Sequence, residues 1–147
     1  MTAMLDLSLY ASQSPVPLAA IAERQSISLS YLEQLFGRLR KSGLVVSVRG
    51  PGGGYRLGIA DSQISIAQII DAVDEGVDAT LCGGKGNCSA GEMCLTHSLW
   101  DELGNEIHKF LSEISLADLS SRSETQSIFQ RQLKQTLNFQ QLQTAFH

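Results

Sequence analysis

The sequence of 147 residues predicts a mainly α-helical fold with one small β-hairpin. Apolar residues recur at helical spacing within residues 28–41 and again over a longer stretch, residues 98–114. Between the two stretches, the β-branched run 44–48 is followed by the glycine-rich segment 49–54, an order typical of a hairpin. The length suits about one domain, or a small domain with an extension.

The N-terminal part of the chain predicts two helices joined by a short turn. Residues 1–11 have helical character, and the prolines that follow end this first helix. Pro17 suits the first turn of the next helix, which extends to about Arg24. After a turn at residues 25–27, an amphipathic helix covers residues 28–41. Two short helices with such a turn form a helix-turn-helix.

A hairpin follows this motif directly. Gly43 is placed to end the second helix in the left-handed conformation. Residues 55–57 can pair with the run 44–48 across the glycine-rich turn 49–54. A hairpin in this position is called a wing, so the fold class predicted is a winged helix-turn-helix with a long helix after it.

The long helix has more apolar surface than a small domain can cover. Before this long helix, Ser65 and Gln68 have the spacing of a capping box, which predicts another helix that extends from there to about Glu75. The apolar stripe after residue 98 spans about five turns, and we expect it to pair with a second copy of the chain in a homodimer. The residues expected at this dimer contact are Leu99, Leu103, Ile107, Phe110 and Ile114.

The composition changes to serine and glutamine after residue 120. We expect a mobile tail there, with transient helix near residues 127–142. The predicted organisation is a winged helix-turn-helix domain (1–75), a cysteine loop (76–97), a dimerisation helix with a short following helix (98–120) and a flexible tail (121–147).

The charge of the chain is unevenly distributed. The net charge is −4, but residues 1–60 carry +3 and residues 61–147 carry −7. Phosphate binding needs a local basic surface but does not need the whole protein to be basic. The N-terminal winged helix-turn-helix domain, called the head below, therefore suits DNA binding. No apolar run approaches the roughly 18 residues of a membrane span, and no secretory leader precedes the first helix. We therefore expect a cytoplasmic protein without membrane contact.

All three cysteines lie in one short segment. Cys82, Cys88, Cys94 and His97 form the pattern C-x5-C-x5-C-x2-H, and glycines around the first two allow the loop to fold back on itself. An odd number of cysteines argues against a disulfide framework. Thiolate and imidazole are ligands of soft and borderline metals. Zinc usually takes C-x2-4-C pairs, which this spacing matches poorly, so the segment predicts a metal or cluster site.

These features resemble the iron–sulfur cluster regulators, a family of winged-helix bacterial transcription factors. The resemblance covers about residues 1–120. It rests on residues 27–36, 48–55, 72–75 and 77–80 and on the segment from Cys82 to His97. Members of the family begin several residues earlier, so we expect the first helix to be shortened at its N-terminus here.

The resemblance implies a cofactor and a regulatory role. Cys82, Cys88, Cys94 and His97 would bind a [2Fe–2S] cluster that the cluster assembly machinery supplies. The clustered form would repress the genes for cluster assembly, while the cluster-free form would bind a second class of promoter. A histidine ligand is neutral and can be protonated, so such a cluster is less firmly held than an all-cysteine one, which suits a sensor.

The head is expected to contact double-stranded promoter DNA. The resemblance implies that Glu33 tunes promoter choice, because a carboxylate accepts a hydrogen bond from cytosine N4; its alternative role is a capping box with Ser30. Arg49, at the tip of the wing, suits a narrow minor groove. Phosphate contacts are expected from Arg38, Arg40 and Lys41. Further candidates for DNA contacts are Ser28, Ser30, Tyr31 and Gln34.

Other functions stay open at this point. One is a DNA-binding regulator with structural zinc, and another is a nitric-oxide- or redox-sensing relative of the same family. An electron carrier is a third, although ferredoxin-like carriers have four cysteines and no recognition helix. The sequence shows no nucleophile–base pair or paired carboxylates that would indicate an enzyme.

Overall fold

The computed structural model describes residues 1–10, 14–74, 79–80 and 82–145, with the backbone alone for 138–145. Within these residues the chain is mainly helical, with one antiparallel pair of strands and a short 3-10 turn at Asp61–Gln63. The predicted fold class is confirmed. The elements are α1 Thr2–Tyr10, α2 Leu18–Gln25, α3 Leu29–Lys41, β1 Val45–Val48, β2 Gly54–Leu57, α4 Ile66–Ala72, α5 His97–Ser112, α6 Leu116–Ser120 and α7 Ser123–Ala145.

Helices α2 and α3 form the predicted helix-turn-helix. The turn between them places Ser26 in the left-handed conformation (φ 52°), and the chain then enters α3. Helix α3 ends in a Schellman motif: the Gly43 amide donates to the Arg40 carbonyl at 3.1 Å, and the Leu44 amide donates to the Leu39 carbonyl at 3.0 Å. Gly43 has φ 75°, as this motif requires. The prediction that Gly43 ends the helix is confirmed.

The wing is held against α3 and against the segment that precedes α2. Strands β1 and β2 pair antiparallel, with Ser47 opposite Tyr55. The backbone of Tyr55 also exchanges two hydrogen bonds with Val16, at 2.8 and 2.9 Å, so the segment before α2 lies beside the hairpin. A Cβ at Gly54 would overlap the Val16 backbone, which explains the glycine. The ring of Phe36, from α3, meets the Tyr55 ring edge-on at 5.0 Å between centroids.

The predicted capping box of α4 is confirmed. The Ser65 hydroxyl accepts from the Gln68 amide at 3.1 Å, and the Gln68 side chain accepts from the Ser65 amide at 2.8 Å. Helix α4 ends at Ala72, and Glu75, where the sequence placed its end, lies outside the described residues. The Leu116 amide donates to the Ile64 carbonyl at 2.7 Å, which fixes the start of α6 beside the start of α4.

A buried ion pair joins α1 to α2. Asp6 is 3% exposed, and its carboxylate accepts two hydrogen bonds from Arg24, at 3.0 and 2.6 Å. The Gln25 amide donates a third, at 2.7 Å. The Arg24 guanidinium also lies over the Tyr10 ring, 3.9 Å from its centroid. Both carboxylate oxygens accept hydrogen bonds, so the first helix is fixed in position by polar contacts as well as by the core.

The C-terminal segment is helical, where the sequence predicted a mobile tail with transient helix near residues 127–142. Helix α7 lies against the head: the Phe129 ring meets the Tyr10 ring edge-on at 4.9 Å between centroids. The Gln25 amide also donates to the Gln132 side chain at 3.3 Å. The apolar residues of this segment are too scattered to indicate such packing from the sequence, and the expectation of a tail is corrected to this extent.

Helix α5 projects a largely uncovered apolar side. Only His97 is buried in it, while Leu99 and Phe110 are 59% and 61% exposed. Leu103 is exposed and Ile107 is half-buried, while Ile114, also half-buried, lies beyond the end of α5 at Ser112 and not on the long helix as the sequence predicted. In the part of the chain that the structure describes, no helix combines the length and the apolar character needed to cross a bilayer.

Candidate DNA-binding surface and metal centre

All nine residues predicted to contact DNA are exposed. Eight belong to α3 and its N-cap, and the ninth, Arg49, follows β1 in the wing. The side of α3 that faces inward is apolar, with Leu32, Phe36 and Leu39 buried in the core. Packing therefore fixes the rotation of α3 about its axis and directs its polar side outward. The nine residues are Ser28, Ser30, Tyr31, Glu33, Gln34, Arg38, Arg40, Lys41 and Arg49.

The start of α3 differs from one interpretation of the sequence. Ser28 is the N-cap, and its hydroxyl accepts from the Tyr31 amide at 3.5 Å and lies 3.0 Å from the Ser30 hydroxyl. The alternative of a capping box between Ser30 and Glu33 is therefore wrong, because Ser30 is already inside the first turn. Glu33 lies one turn further along α3 with an exposed side chain.

One basic residue of α3 makes a contact that the sequence did not predict. The Arg38 guanidinium donates through Nη1 to the Val73 backbone carbonyl at 2.5 Å. Val73 is the C-cap of α4, the helix that precedes the cysteine loop. The two residues are far apart in the chain, so no local pattern could indicate this bond. This hydrogen bond connects α3, the recognition helix that carries most of the predicted DNA contacts, with α4, the helix that precedes the cysteine loop.

The structure brings three of the four predicted metal ligands together. The sulfurs of Cys82 and Cys88 and a ring nitrogen of His97 all lie within 4.8 Å of one another. His97 Nδ1 is 3.5 Å from the Cys82 sulfur and 3.7 Å from the Cys88 sulfur. His97 is the first residue of α5 and is 7% exposed, so the helix and its surroundings hold the ring in place.

Cys94 adjoins this group but is not one of the three. Its backbone amide donates to the Cys88 sulfur at 3.1 Å, while its own sulfur lies 3.7 Å from the Thr96 hydroxyl. At the start of the loop, the Thr80 hydroxyl accepts from the Gly84 amide at 2.7 Å. Thr80 and Thr96 are contacts that the spacing of the cysteines alone did not indicate.

The thiols influence one another's protonation. Hydrogen bonding with the Cys94 side chain and, to a lesser extent, with the Cys82 side chain raises the pKa of Cys88. Accepting from Cys88 lowers the pKa of Cys94. Desolvation alone would raise the pKa of Cys82, but hydrogen bonds from Thr80 and from the Gly86 and Asn87 amides lower it to about 6. The loop thus favours thiolate, the form that binds metals, at Cys82 and Cys94.

This donor set fits a soft or borderline metal. Two thiols and an imidazole converge on one point, the backbone amide of the third cysteine donates to one of these thiols, and all three cysteines are free of disulfides. Sulfur with imidazole nitrogen is a ligand set of zinc and of iron–sulfur clusters. Hard cations such as Mg²⁺ and Ca²⁺ prefer oxygen ligands, which this group lacks.

The comparison with protein families agrees with this geometry. The family model Rrf2, described as an iron-dependent transcriptional regulator, matches residues 1–122. The chain belongs to the Rrf2 family. It is thus a transcriptional regulator of the winged-helix type, which implies DNA binding, and not an enzyme. The resemblance drawn from the sequence is confirmed.

This Rrf2-family regulator is similar both to relatives found by sequence and to proteins of solved structure. The regulator IscR of Vibrio cholerae serotype O1 is 60% identical over 131 residues, covering 89% of this chain and 76% of that protein. IscR of Aliivibrio salmonicida is 59% identical over the same length, covering 89% of this chain and 78% of that protein. Among solved structures, T. potens IscR matches with a TM-score of 0.64 at 38% identity, covering 80% of this chain and 77% of that one. CymR, described as the global cysteine regulator of B. subtilis, gives a TM-score of 0.66 at 32% identity, covering 82% and 88%.

Proposed function

We propose that this Rrf2-family regulator is a homodimer in the cytoplasm whose choice of promoters depends on a [2Fe–2S] cluster. The observation that carries the proposal is the convergence of two thiols and a buried imidazole at the start of α5, on a winged-helix regulator. In this proposal the clustered form represses the genes of cluster assembly, and the cluster-free form acts at a second class of promoter. Cluster supply would then regulate its own machinery.

The proposed cluster ligands are Cys82, Cys88, Cys94 and His97. A [2Fe–2S] cluster needs four protein ligands, two on each iron. Three donors already face one another, and Cys94 is joined to Cys88 by its amide, so a rotation of the Cys94 side chain would complete the set. When bound, the cluster could be oxidised or lost, and the residues of the loop would hold it close to solvent. The name of the relatives, IscR, supports an iron–sulfur function.

The proposed DNA-reading element is α3 with the wing. Glu33 projects from the exposed side of α3 and takes no part in the Ser28 cap, so its carboxylate is available to a base edge. A carboxylate in the major groove accepts from cytosine N4 and repels phosphates, which makes it a discriminator between sites. Arg40, Lys41 and Arg49 are proposed to contact phosphates or, for Arg49, the minor groove.

The proposed dimer contact is the apolar side of α5. Leu99, Leu103 and Phe110 are between 42% and 61% exposed, and they recur at helical spacing along one side. Large apolar side chains in a row are costly in water and are typical of an interface. Two copies related by a two-fold axis would present two heads to a pseudo-palindromic site.

Metal analysis of protein purified without oxygen tests this proposal. Wild-type protein is expected to carry about two irons and two sulfides per chain and to be coloured, as the cluster type requires. The Cys88→Ala protein is expected to be colourless and to lose only one class of promoter. Ser98→Ala, an exposed neighbour of His97, is the matched control and should keep both iron and colour.

The outcomes separate the alternatives. If the protein contained zinc without iron or sulfide, the result would support a structural zinc site and not a cluster. A Cys88→Ala protein that keeps its visible absorption would refute the ligand assignment. Iron-poor wild-type protein that regulates every target normally would refute the proposed function.

A further inference from the structure

Arg38 connects the DNA-reading helix to the helix that leads into the cysteine loop. Its guanidinium donates to the Val73 carbonyl at 2.5 Å. Val73 itself is buried, at 6% exposed, and is the C-cap of α4. The last carbonyls of a helix have no partner within it and carry the negative end of the helix dipole. A guanidinium is therefore well matched to this position.

The carbonyl that Arg38 holds is close in the chain to the metal centre. After Val73, Asp74 turns the chain with a left-handed backbone (φ 58°), its amide bonded to the Asp71 carbonyl at 3.1 Å. The loop of the candidate metal centre is reached at Thr80 and Cys82. Because α4 precedes the loop in the chain, we expect a change in the loop to act on the end of α4, where Arg38 is attached.

The same side chain can still serve DNA. A guanidinium has five N–H donors in a planar fork, and the bond to Val73 engages Nη1. Arg38 remains exposed on α3, in the last turns of the helix that also carry Arg40 and Lys41. A second donor can therefore meet a phosphate while the first holds the carbonyl, and the position of the carbonyl sets where the phosphate contact lies.

We propose that Arg38 is a positioning residue that transmits the state of the cysteine loop to the recognition helix through the Val73 carbonyl. This inference rests on the proposed function, since it names the route by which a loaded metal centre alters DNA binding. Arg40 is the natural comparison: it has the same charge, is exposed in the same turn of α3, and makes no hydrogen bond to α4 among the described contacts.

The test compares Arg38→Gln with Arg40→Gln in the full chain. Each variant removes one positive charge and should reduce the slope of log affinity against log salt by about one if the residue meets a phosphate. Amide hydrogen exchange of metal-free protein is expected to become faster at Val73 and Asp74 in Arg38→Gln alone. DNA affinity is then measured with and without the cluster.

The expected result is a difference in coupling. Allosteric coupling typically changes affinity about 5–150-fold, and Arg38→Gln is expected to bring the ratio of loaded to metal-free affinity close to one. Arg40→Gln should weaken both forms by the same factor and keep the wild-type ratio.

Two results would overturn the inference: unchanged exchange at the end of α4 in Arg38→Gln, or a coupling ratio that remains as in Arg40→Gln. If wild-type protein itself showed no dependence on the cluster, the proposed function would fail instead, and the exchange experiment would still decide whether Arg38 holds α4.

Discussion

Asp6→Ala is expected to destabilise the head strongly. The substitution removes the carboxylate that accepts from Arg24 and Gln25 and leaves both donors without it. The Arg24 guanidinium is the greater concern, because its side chain is only 14% exposed and that of Asp6 is 1% exposed. Burial alone would lower the pKa of Arg24, but the hydrogen bond and the charge of Asp6 raise it above its ordinary value. An arginine stays charged at neutral pH even without this partner, so the variant leaves a buried guanidinium that has lost its carboxylate.

The size of the effect follows from this burial. Removing one partner of a buried ion pair costs about 3–5 kcal/mol, because the other charge remains desolvated. In a protein of this length each kcal/mol lowers Tm by about 2–4 °C, so the expected loss is on the order of 10 °C.

Thermal unfolding followed by circular dichroism measures the loss, with Asp71→Ala as the control. Asp71 pairs with His108 at a similar distance, 3.0 Å, but both side chains are more than half exposed. An exposed pair contributes about 0–1 kcal/mol, so this control should unfold within a few degrees of wild type.

A second variant tests the cause. Asp6→Leu combined with Arg24→Met replaces both charges by apolar groups and should recover most of the lost stability, because no buried charge is left unpaired. Equal shifts in Asp6→Ala and Asp71→Ala, or no recovery in the double variant, would refute the reasoning from burial.

Three further predictions concern function. Glu33→Ala should change the ratio of affinities for the two promoter classes by about tenfold, measured by fluorescence anisotropy; an unchanged ratio would rule out discrimination by this carboxylate. Phe110→Glu should give monomers in light scattering where Glu106→Gln gives dimers, since a charge replaces an apolar contact; a dimer in both would remove α5 from the interface. In metal-free protein, iodoacetamide should modify Cys82 increasingly as pH rises through about 6, where its thiolate forms. Cys88, whose pKa is raised, should react only at higher pH, and peptide mass spectrometry showing the reverse order would contradict the hydrogen-bond pattern.

The proposed DNA-binding head and the proposed metal-binding loop are connected through a few contacts. The wing is fixed to α3 by the edge-on contact of the Tyr55 and Phe36 rings, and α3 is fixed to α4 by Arg38. The loop in turn ends at His97, the first residue of α5. The loop therefore lies in the chain between α4, which is bonded to the DNA-reading helix α3, and α5, which carries the proposed dimer contact. A change in the loop can act on either helix.

Local patterns in the sequence predicted the elements that local interactions stabilise. The Gly43 helix end and the capping box of Ser65 each depend on residues within a few positions, so the sequence is sufficient to identify them. The cysteine loop was found for the same reason, because its donors lie close together in the chain. The cap of α3 is an exception, since Ser28 and Ser30 both suit the position and only the path of the turn decides between them.

The sequence by itself determined a winged helix-turn-helix, its polar reading side and a loop of soft metal ligands, because hydrophobic spacing and ligand spacing are properties of neighbouring residues. The tertiary structure alone decided that Asp6 is neutralised by Arg24, that α7 packs on Tyr10, and that Arg38 holds the end of α4. Each of these contacts joins residues distant in the chain, and their free energy is gained only when the core brings the two partners together.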